Sequence, residues 1–266
     1  MKLEYFDIHS HLNFSAFDSD REEVIKRMQD EKVFTISVGT DLKTSKEVAD
    51  LADKNENIFA TIGLHPDDNK KEDFNPEDYK ELAENKKVVA VGECGLDYYR
   101  IKNHESGLKN KQKEIFEKQI QFALENDLPL MLHFRPSGKT MDAYEDGLEI
   151  LGSYKKSHPE LSGNAHFFAG NLKIAKRFIE IGFTISFTGV ITFADSYDEI
   201  IKQIPLENIM SETDCPFVAP IPYRGGRCEP VYVKKVVERI ADIRSEDIEI
   251  VKKALVNNTF RMFFNG

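Results

Sequence analysis

Residues 88–99 read Val88-Val89-Ala90-Val91-Gly92-Glu93-Cys94-Gly95-Leu96-Asp97-Tyr98-Tyr99, in which a short unbroken apolar run, Val88 to Val91, is followed at once by a carboxylate motif. An apolar run of this length, without polar alternation, suits a strand buried on both faces. The same pattern recurs along the chain at Leu3 to Phe6, Val33 to Val38, Ile58 to Ile62, Leu128 to Leu132, Gly163 to Ala165, Phe183 to Phe187 and Ile209 to Met210. Helical periodicity fills the intervals: Arg21 to Asp30, Thr44 to Lys54, Pro76 to Glu84, Lys109 to Glu125, Thr140 to Ser157, Leu172 to Ile181, Ser196 to Ile204 and Val231 to Ile240, with a closing helix from Glu246 to about Phe264. Strand followed by helix, repeated throughout, predicts a parallel sheet with helices outside. For eight such units, a TIM-type (β/α)8 barrel of about 250 residues is the expected α/β fold. An open doubly wound sheet would gather its site at one switch point and normally needs a glycine-rich phosphate turn, and no G-x-G-x-x-G follows the first run.

What ends the runs is as informative as the runs. Asp7-Ile8-His9-Ser10-His11 follows the first, and Glu93, His133, His166 and Asp214 each close another. A lone histidine in a strand is usually a packed or surface residue. Six ligand-type side chains at equivalent points of a repeating unit are hard to explain by packing, and a barrel draws its site from the carboxyl ends of many strands.

Imidazoles and carboxylates without thiolates suit zinc, manganese, cobalt or iron, and magnesium where carboxylates and water predominate. In the H-x-H pair, residues two apart on an extended segment face one side, so both rings reach one ion. Glu93, on the central fourth strand, is placed to bridge two ions through its two oxygens. Two ions about 3.5 to 4 Å apart activate water and stabilise a leaving oxygen in one in-line displacement.

At 41% hydrophobic and 31% charged residues, with no linker or low-complexity tract, the chain is expected to form one domain over residues 1–266. It enters a strand at once, shows no cleavable apolar leader and has no span long enough for a bilayer, so a soluble cytoplasmic protein with no membrane partner is expected. Three cysteines, Cys94, Cys215 and Cys228, are too few and too irregularly spaced for a disulfide framework or thiolate site. Cys94 follows a site carboxylate and should pack outward against a helix.

The net charge of −10 excludes a protein that coats nucleic acid by bulk electrostatics, because phosphate neutralisation needs clustered lysine and arginine. Any phosphate must be held locally. Arg100, Lys102, Arg135, Lys139, Arg224 and Arg227 fall in loops after strands four, five and eight; each is either a phosphate contact or solvated surface charge. His104 and His158 lie in polar loop contexts and are expected to be exposed.

The succession Asp7-Ile8-His9-Ser10-His11-Leu12, Gly63-Leu64-His65-Pro66, Gly92 to Tyr99, His133 with Arg135, His166-Phe167-Phe168-Ala169-Gly170 and Glu212-Thr213-Asp214-Cys215-Pro216 resembles the TatD family of metal-dependent deoxyribonucleases across nearly the whole chain. The resemblance implies hydrolysis of DNA phosphodiesters, often exonucleolytic, with single-stranded DNA or DNA ends as substrate and two divalent ions as cofactor. It assigns His9, His11, Glu93 and Asp214 to one ion and Glu93, His133 and His166 to the other. Asp214 would also take the proton of the attacking water. His65 would reach the substrate phosphate, its structural alternative being a buried histidine that holds the Gly-Leu-His-Pro turn. Asp97, Tyr98, Arg135 and Arg224 complete the expected substrate contacts. Tyr98 and Tyr99 either stack on a base or pack the loop. Ala169 replaces the hydroxyl residue usual in similar proteins, and Cys228 an asparagine, which bears on substrate loops rather than on the metal ligands.

The same bimetallic chemistry also cleaves other esters and amides, such as a lactone or an aminoacyl-tRNA ester. A non-catalytic binding barrel is a third reading, against which the ligand set argues: structural metal sites are closed and seldom need six ligands across five strands.

Overall fold

A computed structural model describes residues 3–67, 72–101 and 106–264. Lys102 and His104 lie outside the described residues. The strands are β1 (Tyr5–Ser10), β2 (Val33–Val38), β3 (Ile58–Ile62), β4 (Val88–Asp97), β5 (Leu130–Arg135), β6 (Gly163–Ala165), β7 (Thr184–Phe187) and β8 (Ile209–Ser211). They form one eight-stranded sheet in the order β1 to β8 with every neighbouring pair parallel. Between them run α1 (Arg21–Asp30), α2 (Leu42–Lys54), α3 (Pro76–Ala83), α4 (Ser106–Glu125), α5 (Asp142–Lys155), α6 (Leu172–Glu180) and α7 (Asp198–Gln203), followed by α8 (Val233–Arg244) and α9 (Ile248–Phe263). The TIM-type barrel is the observed fold.

The seam between β8 and β1 is closed just beyond β8. Asp214 N–H donates to His9 O at 2.9 Å, and His11 N–H to Cys215 O at 2.8 Å. The Asp7 carboxylate bolts the same seam, accepting from Thr213 N–H at 2.8 Å and from the Thr213 hydroxyl at 2.6 Å. Asp7 is fully buried, and burial holds its carboxyl well above the usual range even though these hydrogen bonds pull the other way.

Two apolar layers flank the sheet. Outward strand residues pack on the helices, and Cys94 lies in this layer, wholly buried as expected. Inside the barrel, Phe6, Ile8, Ile36, Met131 and Met210 fill the amino-terminal half, and Phe263 of α9 seals it from below. Aromatic contacts make that seal: Phe59 meets Phe264 edge-on at 4.6 Å, and Phe6 meets Phe260 edge-on at 6.1 Å. With this end plugged, the open end of the barrel is the carboxyl end of the strands.

Strand boundaries differ from the sequence expectation where ligands begin. β4 continues to Asp97 and β5 to Arg135 rather than stopping with their apolar runs. Backbone pairing does not require apolar side chains, so the polar residues that line the upper barrel stay on the strands. The β4–β5 register shifts between Val91 and Cys94. Gly95 has φ of +138°, and a Cβ there would collide with the His133 carbonyl oxygen, so only glycine admits this close approach of the two strands.

Candidate metal centre

The six predicted ligands converge at the open end around Glu93. Its Oε2 lies 3.5 Å from His9 Nε2 and 3.9 Å from His11 Nε2. Asp214 Oδ1 lies 3.4 Å from His11 Nε2 and 3.8 Å from His9 Nε2, and the two imidazole nitrogens are 3.3 Å apart. On the other side, Glu93 Oε1 is 2.7 Å from His133 Nδ1 and 2.7 Å from His166 Nε2, which are themselves 3.2 Å apart. One carboxylate thus offers a separate oxygen to each pair of imidazoles.

These residues fit metal ions. Four ligand atoms about 2.1 Å from a tetrahedral ion stand about 3.4 Å from one another, and the separations around His9, His11 and Asp214 run from 3.3 to 3.9 Å. The group of His133, His166 and Glu93 is tighter, with separations of 2.7 to 3.2 Å. His11 Nδ1 faces Val38 O at 3.2 Å, which makes Nδ1 the protonated nitrogen and leaves the Nε2 lone pair pointing into the cluster. Buried His9 Nδ1 has no partner, so this ring gains nothing except through Nε2.

The remaining carboxylates stand behind the histidines. Asp97 Oδ2 is 3.2 Å from His133 Nε2. Glu212 Oε1 is 3.5 Å from His166 Nδ1, an electrostatic contact at the outer limit of hydrogen bonding. Glu212 is itself pinned by Phe167 N–H at 2.7 Å and the Ser186 hydroxyl at 2.6 Å. The charge pattern follows. Burial alone would raise the Glu93 carboxyl, but the His166 charge and the hydrogen bonds from His133 and His166 hold it well below the usual range. Burial opposes protonation of His166, yet Glu93 and Glu212 push it well above the ordinary imidazole value; His133 is raised against burial by Asp97 and Glu93. His9, buried and repelled by His166, falls to about 4.

His65 sits beside the cluster, with Nε2 3.7 Å from Glu93 Oε1 and its ring edge-on to His133 at 4.4 Å. Its Nδ1 accepts from Asp67 N–H at 3.1 Å, so Nε2 carries the proton, and burial lowers the ring to about 4 and keeps it neutral.

Above the cluster opens a cavity of about 740 Å³, within the range usual for small-molecule sites. Arg100 and Arg135 line it on one side, Phe14 and Phe217 on another. The Arg135 guanidinium stacks over the Tyr99 ring at 3.9 Å.

Not every expected substrate contact faces this cavity. Tyr98 is fully buried, with its hydroxyl donating to Asp146 at 2.8 Å and Lys109 over its ring, so of the tyrosine pair it packs the loop and exposed Tyr99 is the one that reaches solvent. Asp97 is buried behind His133 instead of lining the cavity. Arg224 lies on the surface over the Phe193 ring at 3.9 Å, outside the cavity lining. Arg227 spends its donors on Asp20 and Glu229, tying the β8–α8 loop to α1. Half-buried His158 pairs with Glu160.

Sequence reading did not single out Asp7, Glu212, Phe14 or Phe217. Glu212 was within reach, since a carboxylate two residues before Asp214 on an extended segment faces the same side. The phenylalanines carried no signal, because an aromatic after a strand more often packs than binds.

Comparison with known proteins converges on one family. The profile described as TatD related DNase matches residues 6–264. The uncharacterized metal-dependent hydrolase YabD of Bacillus subtilis is 39% identical over 264 residues, covering 97% of this chain and 98% of that protein. The uncharacterized metal-dependent hydrolase YcfH of Escherichia coli K12 is 31% identical over 263 residues, covering 97% and 94%. Among solved structures, YjjV, a TatD homolog from Escherichia coli K12, superposes with a TM-score of 0.87 at 27% identity and 99% coverage of both chains.

Proposed function

The chain belongs to the TatD related DNase family of metal-dependent hydrolases, and on that premise we propose that it hydrolyses DNA phosphodiesters from a single-stranded end. The observation that carries this reading is Glu93, whose two oxygens serve two imidazole pairs on the floor of a cavity walled by arginine. His9, His11, Glu93 and Asp214 would hold one divalent ion, and Glu93, His133 and His166 a second. Zinc, manganese, cobalt, iron and magnesium are compatible with this donor set. When bound, such ions supply Lewis-acid activation of water and of a phosphoryl oxygen.

The chain's own groups do the rest. Asp214 lines the cavity and is positioned as the base that removes the proton of the attacking water. His65, neutral with Nε2–H directed to the cluster, donates to a non-bridging phosphate oxygen. Arg135, held against Tyr99, offers a guanidinium fork to the phosphate from the wall. A cavity of about 740 Å³ suits the end of a strand better than its middle. Among the described residues no helix is long and apolar enough to cross a membrane.

The test is metal-reconstituted protein on end-labelled single-stranded DNA, run beside an aminoacyl ester and a lactone. Stepwise shortening from one end is expected, nearly abolished in Asp214→Asn while DNA still binds. Inert DNA together with brisk ester or lactone hydrolysis that Asp214→Asn removes would transfer the function to a different ester.

A further inference from the structure

The metal cavity has a neighbour. A groove of about 820 Å³ runs between α2 and the segment that leads from β1 into α1, and the side chains it shares with the metal cavity are Phe14 and Phe217. The two rings stand as a wall between the spaces. Phe14 stacks on the His11 imidazole at 4.5 Å and 15°, so it is fixed to the ligand cluster. Phe217 meets His11 and Phe14 edge-on, each at 6.3 Å, and is 51% exposed. Its N–H donates to Asp214 O at 3.0 Å, which fixes this ring to the same loop as the ligand.

A half-exposed phenylalanine in ordered contact with the site leaves a face open to a planar apolar group. Charge selects how the groove is used. Lys43, Lys54 and Arg21 line it together with Asp18, Glu47 and Asp50, so its charges balance and give a phosphate backbone little net attraction. In the metal cavity Arg100 is held by Asp67 at 3.0 Å, and Arg135, stacked on Tyr99, presents its guanidinium from the wall. A strand with its scissile phosphate at the ions therefore has electrostatic holds on one side of the wall and only stacking on the other.

Resting on the nuclease reading, we propose that Phe217, buttressed by Phe14, is a stacking platform for an unpaired nucleobase adjoining the scissile phosphate. The terminal nucleotide occupies the metal cavity, and the remaining strand leaves across the wall into the groove. A base stacked on the ring cannot be paired in a continuous duplex, so the platform selects single-stranded ends.

The experiment compares two single-stranded oligonucleotides, one intact and one with an abasic residue adjoining the scissile phosphate. Steady-state cleavage is measured with metal-loaded wild type, Phe217→Ala and Phe217→Trp, and binding by fluorescence anisotropy in an Asp214→Asn background. Stacking on one aromatic predicts that the intact strand is favoured about 5- to 150-fold, mainly in KM and Kd. Phe217→Ala brings that ratio to within about twofold, and Phe217→Trp restores it. A wild-type ratio near one, or a ratio that Phe217→Ala leaves unchanged, overturns the platform. Base-dependent binding through Phe217 without any cleavage upholds the platform and rejects the nuclease reading, so the two failures are distinguishable.

Discussion

Replacing Glu212 by glutamine removes one negative charge behind His166 and almost nothing else. The carboxylate is fully buried, accepts from Phe167 N–H and the Ser186 hydroxyl, and faces His166 Nδ1 at 3.5 Å. Glutamine has the same shape. Its oxygen can still accept from Phe167 N–H, and the Ser186 hydroxyl can turn to accept from its amide, so the fold should survive. Carboxylates behind a metal-bound imidazole typically contribute 10- to 100-fold, or about 1.4 to 2.7 kcal/mol, to metal affinity. At 3.5 Å the contact is long, which places Glu212→Gln near the lower end, about 10-fold. The shorter 3.2 Å contact between Asp97 and His133 places Asp97→Asn nearer 100-fold. In both variants the loss is confined to the ion held by His133 and His166, while the ion of His9, His11 and Asp214 keeps its affinity. Isothermal metal titration of the stripped protein resolves the two sites, and circular dichroism checks the fold. Equal weakening of both sites, or no change at either, would refute the orienting role of these carboxylates.

The shared carboxylate makes Glu93→Ala weaken both ions at once, whereas His11→Ala weakens chiefly one; elemental analysis after dialysis separates these, and one ion retained at wild-type affinity in Glu93→Ala counts against bridging. Because His133 and His166 are raised above the ordinary imidazole value in the metal-free protein, they carry protons above pH 6.5 that an ion must displace. Affinity at that site should therefore rise with pH through the raised range, with proton release visible as a buffer-dependent binding enthalpy; enthalpies that agree across buffers would contradict it. Arg135→Ala should raise KM for DNA and make the salt dependence of binding shallower by roughly 0.7 in logarithmic slope, one single-strand phosphate contact, at unchanged metal content. A slope that does not move would take Arg135 off the phosphate.

The barrel was legible because its strands are buried on both faces. In Val33–Val38 and Ile58–Ile62 every residue except Phe34 and Phe59 is fully buried, and their observed bounds equal those read from the sequence. The errors cluster where hydrophobicity stops tracking pairing. β4 gains six residues, Gly92 to Asp97, because the upper barrel is lined with polar groups that still hydrogen-bond along the backbone. Likewise α8 begins at Val233, since Pro230 to Tyr232 form a single tighter turn that shares the helical pattern without joining the helix.

For the site, residue type marked the groups that converge and missed those that stand behind them. A histidine or carboxylate at a strand end reads as a candidate ligand, and His9, His11, Glu93, His133, His166 and Asp214 are brought within one cluster. Asp97 shows the limit. As an acid beside tyrosines in a loop-like motif it reads as a substrate contact, yet continuation of β4 turns it under His133, where it can only act through that ring. Tyr98 and Tyr99 divide for the same geometric reason: adjacent residues leaving a strand point to opposite sides, so one is buried on Asp146 and the other carries Arg135 at the cavity edge. The side chain that meets substrate is therefore decided by strand length, a property of the neighbouring strand β5 as much as of β4 itself. A sequence reading that extended each strand until its neighbour's pairing ended, rather than until its apolar run ended, would have moved Asp97 behind His133 and Tyr99 to the mouth.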